Sequence, residues 1–246
     1  IMTRKQYFSS GLKDGMPICF GYFAVSFAFG IQAAGIGLSV FEASVLSALN
    51  VTSAGQFAAL AIIASGASLI ELAFTQLIIN LRYLLMSLSL SQRLEPGLPL
   101  GHRLGIAYGM TDEIFAVSVS QREPLSPFYS YGLIAVAIPG WVLGTALGAA
   151  AGNILPTVLT NALGIAIYGM FIAIILPPAK ENRVVAGVVV LSMVLSALFT
   201  YLPVLCNISS GFRIIVITLI TAGGAALLFP IPDEPAEPEK EMPHEG

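Results

Sequence analysis

The chain has 246 residues, of which 56% are hydrophobic and only 10% charged, with a net charge of −3. Soluble domains carry roughly 25% charged residues, so the mean hydropathy of +0.85 belongs to an integral membrane protein. The slightly acidic balance and the lack of a Lys/Arg cluster point away from nucleic-acid binding. The 2 cysteines and 2 histidines suggest neither a disulfide framework nor a metal site, and no cofactor is expected.

Residues 1–15 contain the polar stretch "TRKQYFSSGLKDG" and are expected to form a cytoplasmic N-terminal segment. Ile1 reads as an added residue before a start at Met2, and no cleavable leader is expected. A crossing needs about 20 mainly apolar residues. Spans are predicted at 16–37, 42–66, 68–90, 104–120, 129–151, 155–177, 184–202 and 212–229, with Pro and Gly marking the joins. The fold class is therefore an all-α polytopic bundle of about eight spans, seven being the alternative, occupying 16–229. Residues 230–246 are acidic and rich in proline and should form a disordered tail.

Lysine and arginine mark the cytoplasmic side of membrane proteins. With the N-terminus inside, Arg4, Lys5, Lys13, Arg122, Lys180, Arg183 and Lys240 are cytoplasmic, and Arg93, Arg103 and Arg213 fall outside. The outside pair Arg93 and Arg103 resolves if an early element is broken or re-entrant. An internal echo between 30–48 and 148–166 suggests two related halves.

Polar groups inside the spans concentrate in the first half. In "ALNVTSAGQFAAL" (48–60), Asn50, Thr52, Ser53, Gly55 and Gln56 are middling to poor helix formers at membrane depth. An unwound turn is tolerated there only where it is buried in protein or lines a cavity. In the third span, Glu71, Thr75 and Arg82 fall within about 40° of one another, with Gln76 and Asn80 nearly opposite. Glu71 lies close enough to the interface to be solvated. In the fourth span, Thr111, Asp112 and Glu113 sit at mid-depth, and a carboxylate there needs a partner, a proton or water. Consecutive helical residues point about 100° apart, so Asp112 and Glu113 face different neighbours. The small-residue runs around Gly105, Gly109, Gly144, Gly148 and Gly152 read as helix-packing faces. Tyr129, Tyr131 and Trp141 are candidate interfacial anchors, although Trp141 lies deep in its span.

The run "GLKDGMPICFGYFAVSFAFGIQAAGIGLSVFEASVLSALNVTSAGQFAAL", with "IINLRYLLMSLSLSQ" and "GMTDEIFAV", resembles the AzlC (YgaZ-type) branched-chain amino acid exporter family. The likeness covers about the first 120 residues. It implies a multi-pass protein of a prokaryotic cytoplasmic (inner) membrane that exports valine, leucine or isoleucine. It also implies a small AzlD-type membrane subunit as partner. The "AGxxQF" block falls on Ala54, Gly55, Gln56 and Phe57, "NLRxxL" on Asn80, Leu81, Arg82 and Leu85, and "TDE" on Thr111, Asp112 and Glu113.

A zwitterion needs partners for an ammonium and a carboxylate and a dry pocket for its side chain. Asp112 or Glu113 can meet the ammonium, and Arg82 or a helix N-terminus near Ser53–Gln56 the carboxylate. Phe57 and Phe115 would supply apolar surface, and the remaining carboxylate, Asp112 or Glu113, would carry a proton. The substrate-site candidates are thus Asn50, Thr52, Ser53, Gly55, Gln56, Phe57, Asn80, Arg82, Thr111 and Asp112. Proton-coupled secondary transport is the leading expectation. The alternatives are the membrane subunit of an ATP-driven permease and a passive channel, and an enzyme is not expected. Self-association is left open.

Overall fold

A computed structural model describes residues 2–121, 124–152, 154–156, 158, 172, 175–203, 205 and 207–230. The helices in chain order are α1 (Arg4–Gly35), α2 (Val40–Leu49), α3 (Ser53–Ala64), α4 (Leu69–Arg93), α5 (Leu100–Tyr108), α6 (Asp112–Val119), α7 (Pro127–Gly152), α8 (Arg183–Tyr201) and α9 (Ser210–Thr218). A π-helical turn, Leu219–Gly223, joins α9 to α10 (Gly224–Leu228). The architecture is all-α, as expected. Helices long and apolar enough to cross a membrane are Arg4–Gly35, Leu69–Arg93, Pro127–Gly152, Arg183–Tyr201 and Gly211–Leu228. Most of the expected span at 155–177, the tail beyond Pro230 and the later part of the echo's second stretch, 159–166, lie outside the described residues.

α1 begins at Arg4, so most of the expected N-terminal segment is helix. Thr3 caps it with a capping box: its hydroxyl accepts from the Gln6 N–H while the Gln6 side chain accepts from the Thr3 N–H. α1 and α7 run parallel in very close contact. A Cβ on Gly11 would meet Gly132, one on Gly15 would meet Val136, one on Gly140 would meet Cys19, and one on Gly148 would meet Phe27. The glycines of "GTALGAAAG" line this seam, because helix backbones can approach only where side chains are missing. Gly30 and Gly148, which open the two echoing stretches, both lie in it.

The spans expected at 42–66 and 104–120 are re-entrant hairpins rather than crossings. The end of α1, the start of α2 and the later part of α3 share one cluster of Phe29, Ala33, Ala43 and Leu60. Both ends of the α2–α3 hairpin therefore lie at one face. Its tip, Asn50–Thr52, is held by Gln76, seven residues into α4 and roughly 10 Å deep by helix rise. At the opposite face, Leu94 bridges to Leu125, and Arg93 donates to the Val119 carbonyl. The end of α4, the end of α6 and the start of α7 meet there. α5 and α6 enter from that face and turn at Gly109–Thr111, where the Tyr108 hydroxyl donates to the Ala48 carbonyl of the first hairpin.

Each break has a local cause. Asn50, Val51 and Thr52 leave the helix, and Thr52, in extended conformation, caps α3 through the Gly55 N–H. Thr111 caps α6 in the same way through the Ile114 N–H. A crossing helix followed by a hairpin thus occurs twice, over α1–α3 and over α4–α6, entering from opposite faces. This is an inverted repeat, a recurrent design in transporters. It relates 4–64 to 69–119, a different pair of segments from the echo in the sequence.

α9 starts beside Glu71 at the first face. Its Gly211 N–H donates to the Glu71 carboxylate at 2.9 Å, so Glu71 is a buried partner of a helix N-terminus rather than a solvated group. α9 and α10 then run parallel to α4, and α8 returns against them, with Arg183 beside Leu228 and Phe229.

Candidate functional site

The two hairpin tips meet α1, α4 and α7 around a cavity of about 380 Å³. This is within the usual range for small-molecule sites, roughly 300–1,000 Å³. Its polar wall is Thr52 and Ser53 from the first tip, Thr111, Asp112 and Glu113 from the second, Arg82 and Tyr83 from α4, and Tyr22 from α1. Its apolar wall is Val51, Ala54, Ile78, Ile79 and Trp141, and Thr218 from α9 also contributes.

Arg82 pairs with Asp112, and this ion pair is about half exposed, in agreement with its position on the cavity. The Arg82 guanidinium also donates to the Tyr83 hydroxyl at 3.1 Å. Arginine has no acceptor and a phenol has one proton. Tyr83, having accepted from Arg82, donates onward to Thr52 Oγ1 at 3.2 Å. Thr52 Oγ1 also accepts from the Gly55 N–H, so its own proton is free for the cavity. The first tip therefore presents donors: the Thr52 hydroxyl and the free N–H groups of the first turn of α3. Helix N-termini attract anions.

The second tip repeats the pattern with the opposite charge. Tyr22 from α1 lies 2.7 Å from Glu113 Oε2 and 2.5 Å from Thr111 Oγ1. An ionised carboxylate only accepts, so Tyr22 donates to Glu113 and takes its own bond from the Thr111 hydroxyl. Thr111 Oγ1 also accepts from the Ile114 N–H, which leaves one lone pair uncommitted on a residue that lines the cavity. The first turn of α6 offers N–H groups as that of α3 does, but the Glu113 carboxylate beside them makes this tip the acceptor pole. In each repeat the tyrosine of the crossing helix bonds to the capping threonine of the other repeat's hairpin.

Of the residues singled out from the sequence, Thr52, Ser53, Arg82, Thr111, Asp112 and Glu113 line the cavity. The others sit behind it. Gln56 is fully buried, accepting from Trp141 Nε1 and donating to Ser47 Oγ, both at 2.8 Å. Ser47 bonds in turn to Thr145, which ties the first hairpin to α7. Gln76 donates to the Gly55 carbonyl at 2.7 Å and accepts from Asn50 and Asn80. Phe57 packs edge-on against Phe29, and Phe115 packs against the main core cluster. Trp141, a candidate anchor, is buried beside the cavity, and Tyr129 and Tyr131 bond to Asp14 and His102. Tyr22 and Tyr83 were not singled out by the sequence reading. The available signal was that a tyrosine hydroxyl in an apolar span needs a partner.

The family model described as AzlC protein matches residues 17–155, which run from within α1 to beyond the end of α7 and so take in both hairpins. The chain belongs to the AzlC family. An uncharacterized membrane protein of Archaeoglobus fulgidus is 35% identical over 189 residues, covering 76% of this chain and 83% of its own. The inner membrane protein YgaZ of Escherichia coli K12 is 32% identical over 184 residues, covering 72% and 75%. No solved structure matches this AzlC-family chain.

Proposed function

We propose that this AzlC-family protein is a secondary transporter for small apolar amino acids, with the cavity between the hairpin tips as its substrate site. The observation that carries this reading is the pair of opposed poles: Arg82, Tyr83 and Thr52 ending in donors, and Glu113, Tyr22 and Thr111 ending in acceptors. A carboxylate fits the first pole and an ammonium the second. Asp112 neutralises Arg82, leaving Glu113 as the carboxylate for the ammonium. Between the poles, Val51, Ile78, Ile79 and one face of Trp141 suit an aliphatic side chain. Valine, leucine and isoleucine are the substrates of this chemistry.

The hairpins also suggest an orientation. With both re-entrant, Arg4, Lys5, Lys13, Arg93, Arg103, Lys180 and Arg183 share one face, and Arg213 lies at the other. By the positive-inside rule the face with the start of α1 is cytoplasmic, and the movement proposed is export across the inner membrane. α4 and α8 have little burial in the chain itself, 11% and 6% of their spanning windows, which leaves apolar surface for lipid and a small AzlD-type subunit.

Calorimetry on the purified chain in nanodiscs tests the site. Leucine should bind, while isovalerate, which lacks the ammonium, and isoamylamine, which lacks the carboxylate, should each bind at least tenfold more weakly. Equal affinity for all three would remove the two-pole reading. Counterflow of labelled leucine in proteoliposomes without ATP tests transport; strict dependence on an added ATPase would overturn it.

A further inference from the structure

The substrate site just proposed has a proton count that can change its character. Tyr22 is 7% exposed and its hydroxyl lies between Glu113 and Thr111, with a single proton to place. With Glu113 ionised, the bonds run from Thr111 to Tyr22 to Glu113, as above. When Glu113 takes a proton on Oε2, that proton must be donated to the Tyr22 oxygen. Tyr22 then turns its own proton to Thr111 Oγ1. Thr111 now accepts from both Tyr22 and the Ile114 N–H, and its hydroxyl proton is released toward the cavity. One added proton is matched by one reversal at each hydroxyl, with no other atom gained or lost.

We infer that Tyr22 is a positioning residue that reports the protonation of Glu113 to Thr111, so that proton and substrate ammonium exclude one another from the second tip. A single proton removes the negative partner of the ammonium and also exchanges the Thr111 lone pair for an O–H donor. This deepens the two-pole reading and rests on it. It assigns the coupling mode as exchange, with proton and amino acid moving in opposite directions.

The titratable groups around Glu113 are Tyr22 from α1, Arg82 and Tyr83 from α4, and Asp112 on its own helix. Thr52 and Ser53 from the first hairpin, Trp141 from α7 and Thr218 from α9 line the same cavity and do not titrate. At the first tip Arg82 is permanently charged, which fixes the direction of the bonds through Tyr83. The switch therefore belongs to the second tip.

The test is the leucine Kd of the full chain in nanodiscs between pH 5 and pH 8. In the unsubstituted protein, binding should weaken at least tenfold toward pH 5. Tyr22→Phe keeps the ring that packs edge-on to Trp141 at 5.3 Å and removes only the hydroxyl. It should shrink that pH ratio at least threefold, and Thr111→Ser, which keeps the hydroxyl, should retain it. A Tyr22→Phe protein with the full ratio would overturn the relay. Tighter binding at pH 5 in the unsubstituted protein would overturn the exclusion. A second measurement does not depend on the variants: leucine entering vesicles should drive protons out, and parallel movement of the two would overturn the inference. Absence of leucine binding at every pH is a separate outcome, which removes the two-pole reading and this inference with it.

Discussion

At the residue scale, the polar groups inside the membrane divide by what they touch. Asp112 and Glu113 are adjacent yet do different things, because consecutive positions on α6 point about 100° apart: Asp112 holds Arg82 and Glu113 holds Tyr22. The Arg82–Asp112 pair is half exposed, so it contributes little to stability, on the order of 1 kcal/mol or less. Its value lies in holding the guanidinium where it feeds Tyr83 and Thr52. Asp112→Asn should leave the melting temperature nearly unchanged and weaken leucine binding about tenfold, or about 1.4 kcal/mol. Gln56→Leu should do the reverse. It orphans the Trp141 N–H and one bond of Ser47 in a fully buried position, at about 1–3 kcal/mol for an unsatisfied group. Thermal unfolding in detergent beside leucine titration separates the two; a Gln56→Leu protein of normal stability that fails to bind would place Gln56 in the substrate site.

At the element scale, the parallel α1–α7 seam and the two hairpins divide the work. The seam is the rigid frame, since backbone meets backbone along it. Gly148→Ala should be strongly destabilising because the added carbon lands on the Phe27 backbone, which cannot move aside as a side chain would. Gly21→Ala, on the same helix pair with open space around it, should have little effect. Melting temperatures of the two variants check this, and equal behaviour would mean that the seam is looser than its geometry. The hairpins were legible in part. "NVTS" announced the first break by gathering poor helix formers at membrane depth, whereas "GMTDE" was expected to lie inside a continuous helical span. That the chain turns back at each break was not legible, because an apolar half-helix has the same composition whether it continues or returns.

At the scale of the whole molecule, the hairpins reverse the sidedness of everything between them. With the proposed cytoplasmic N-terminus and full crossings at 42–66 and 104–120, the loop near Ser65 would be inside and the loop near Glu95 outside. With re-entrant hairpins the positions exchange, and Arg93 and Arg103 join the other basic residues. In a background with Cys19 and Cys206 replaced by alanine, Ser65→Cys should react with a membrane-impermeant maleimide added to whole cells, and Glu95→Cys should react only after permeabilisation. The opposite labelling would restore the crossings.

The sequence by itself determined the solvent, the helical class, the family and the depth of the polar clusters. The first two and the last follow from local composition, with too few charges for a water-facing surface, long apolar runs and polar groups gathered at mid-span, while the family follows from the likeness of three motif blocks. Tertiary structure alone decided which of those polar residues share a cavity. Thr52 and Thr111 lie 59 positions apart and Tyr22 a further 30 before Thr52, and only the opposed entry of the two hairpins brings them together. The direction of each hydrogen bond is likewise a property of the assembled group, because a hydroxyl donates or accepts according to the charge at the end of its chain.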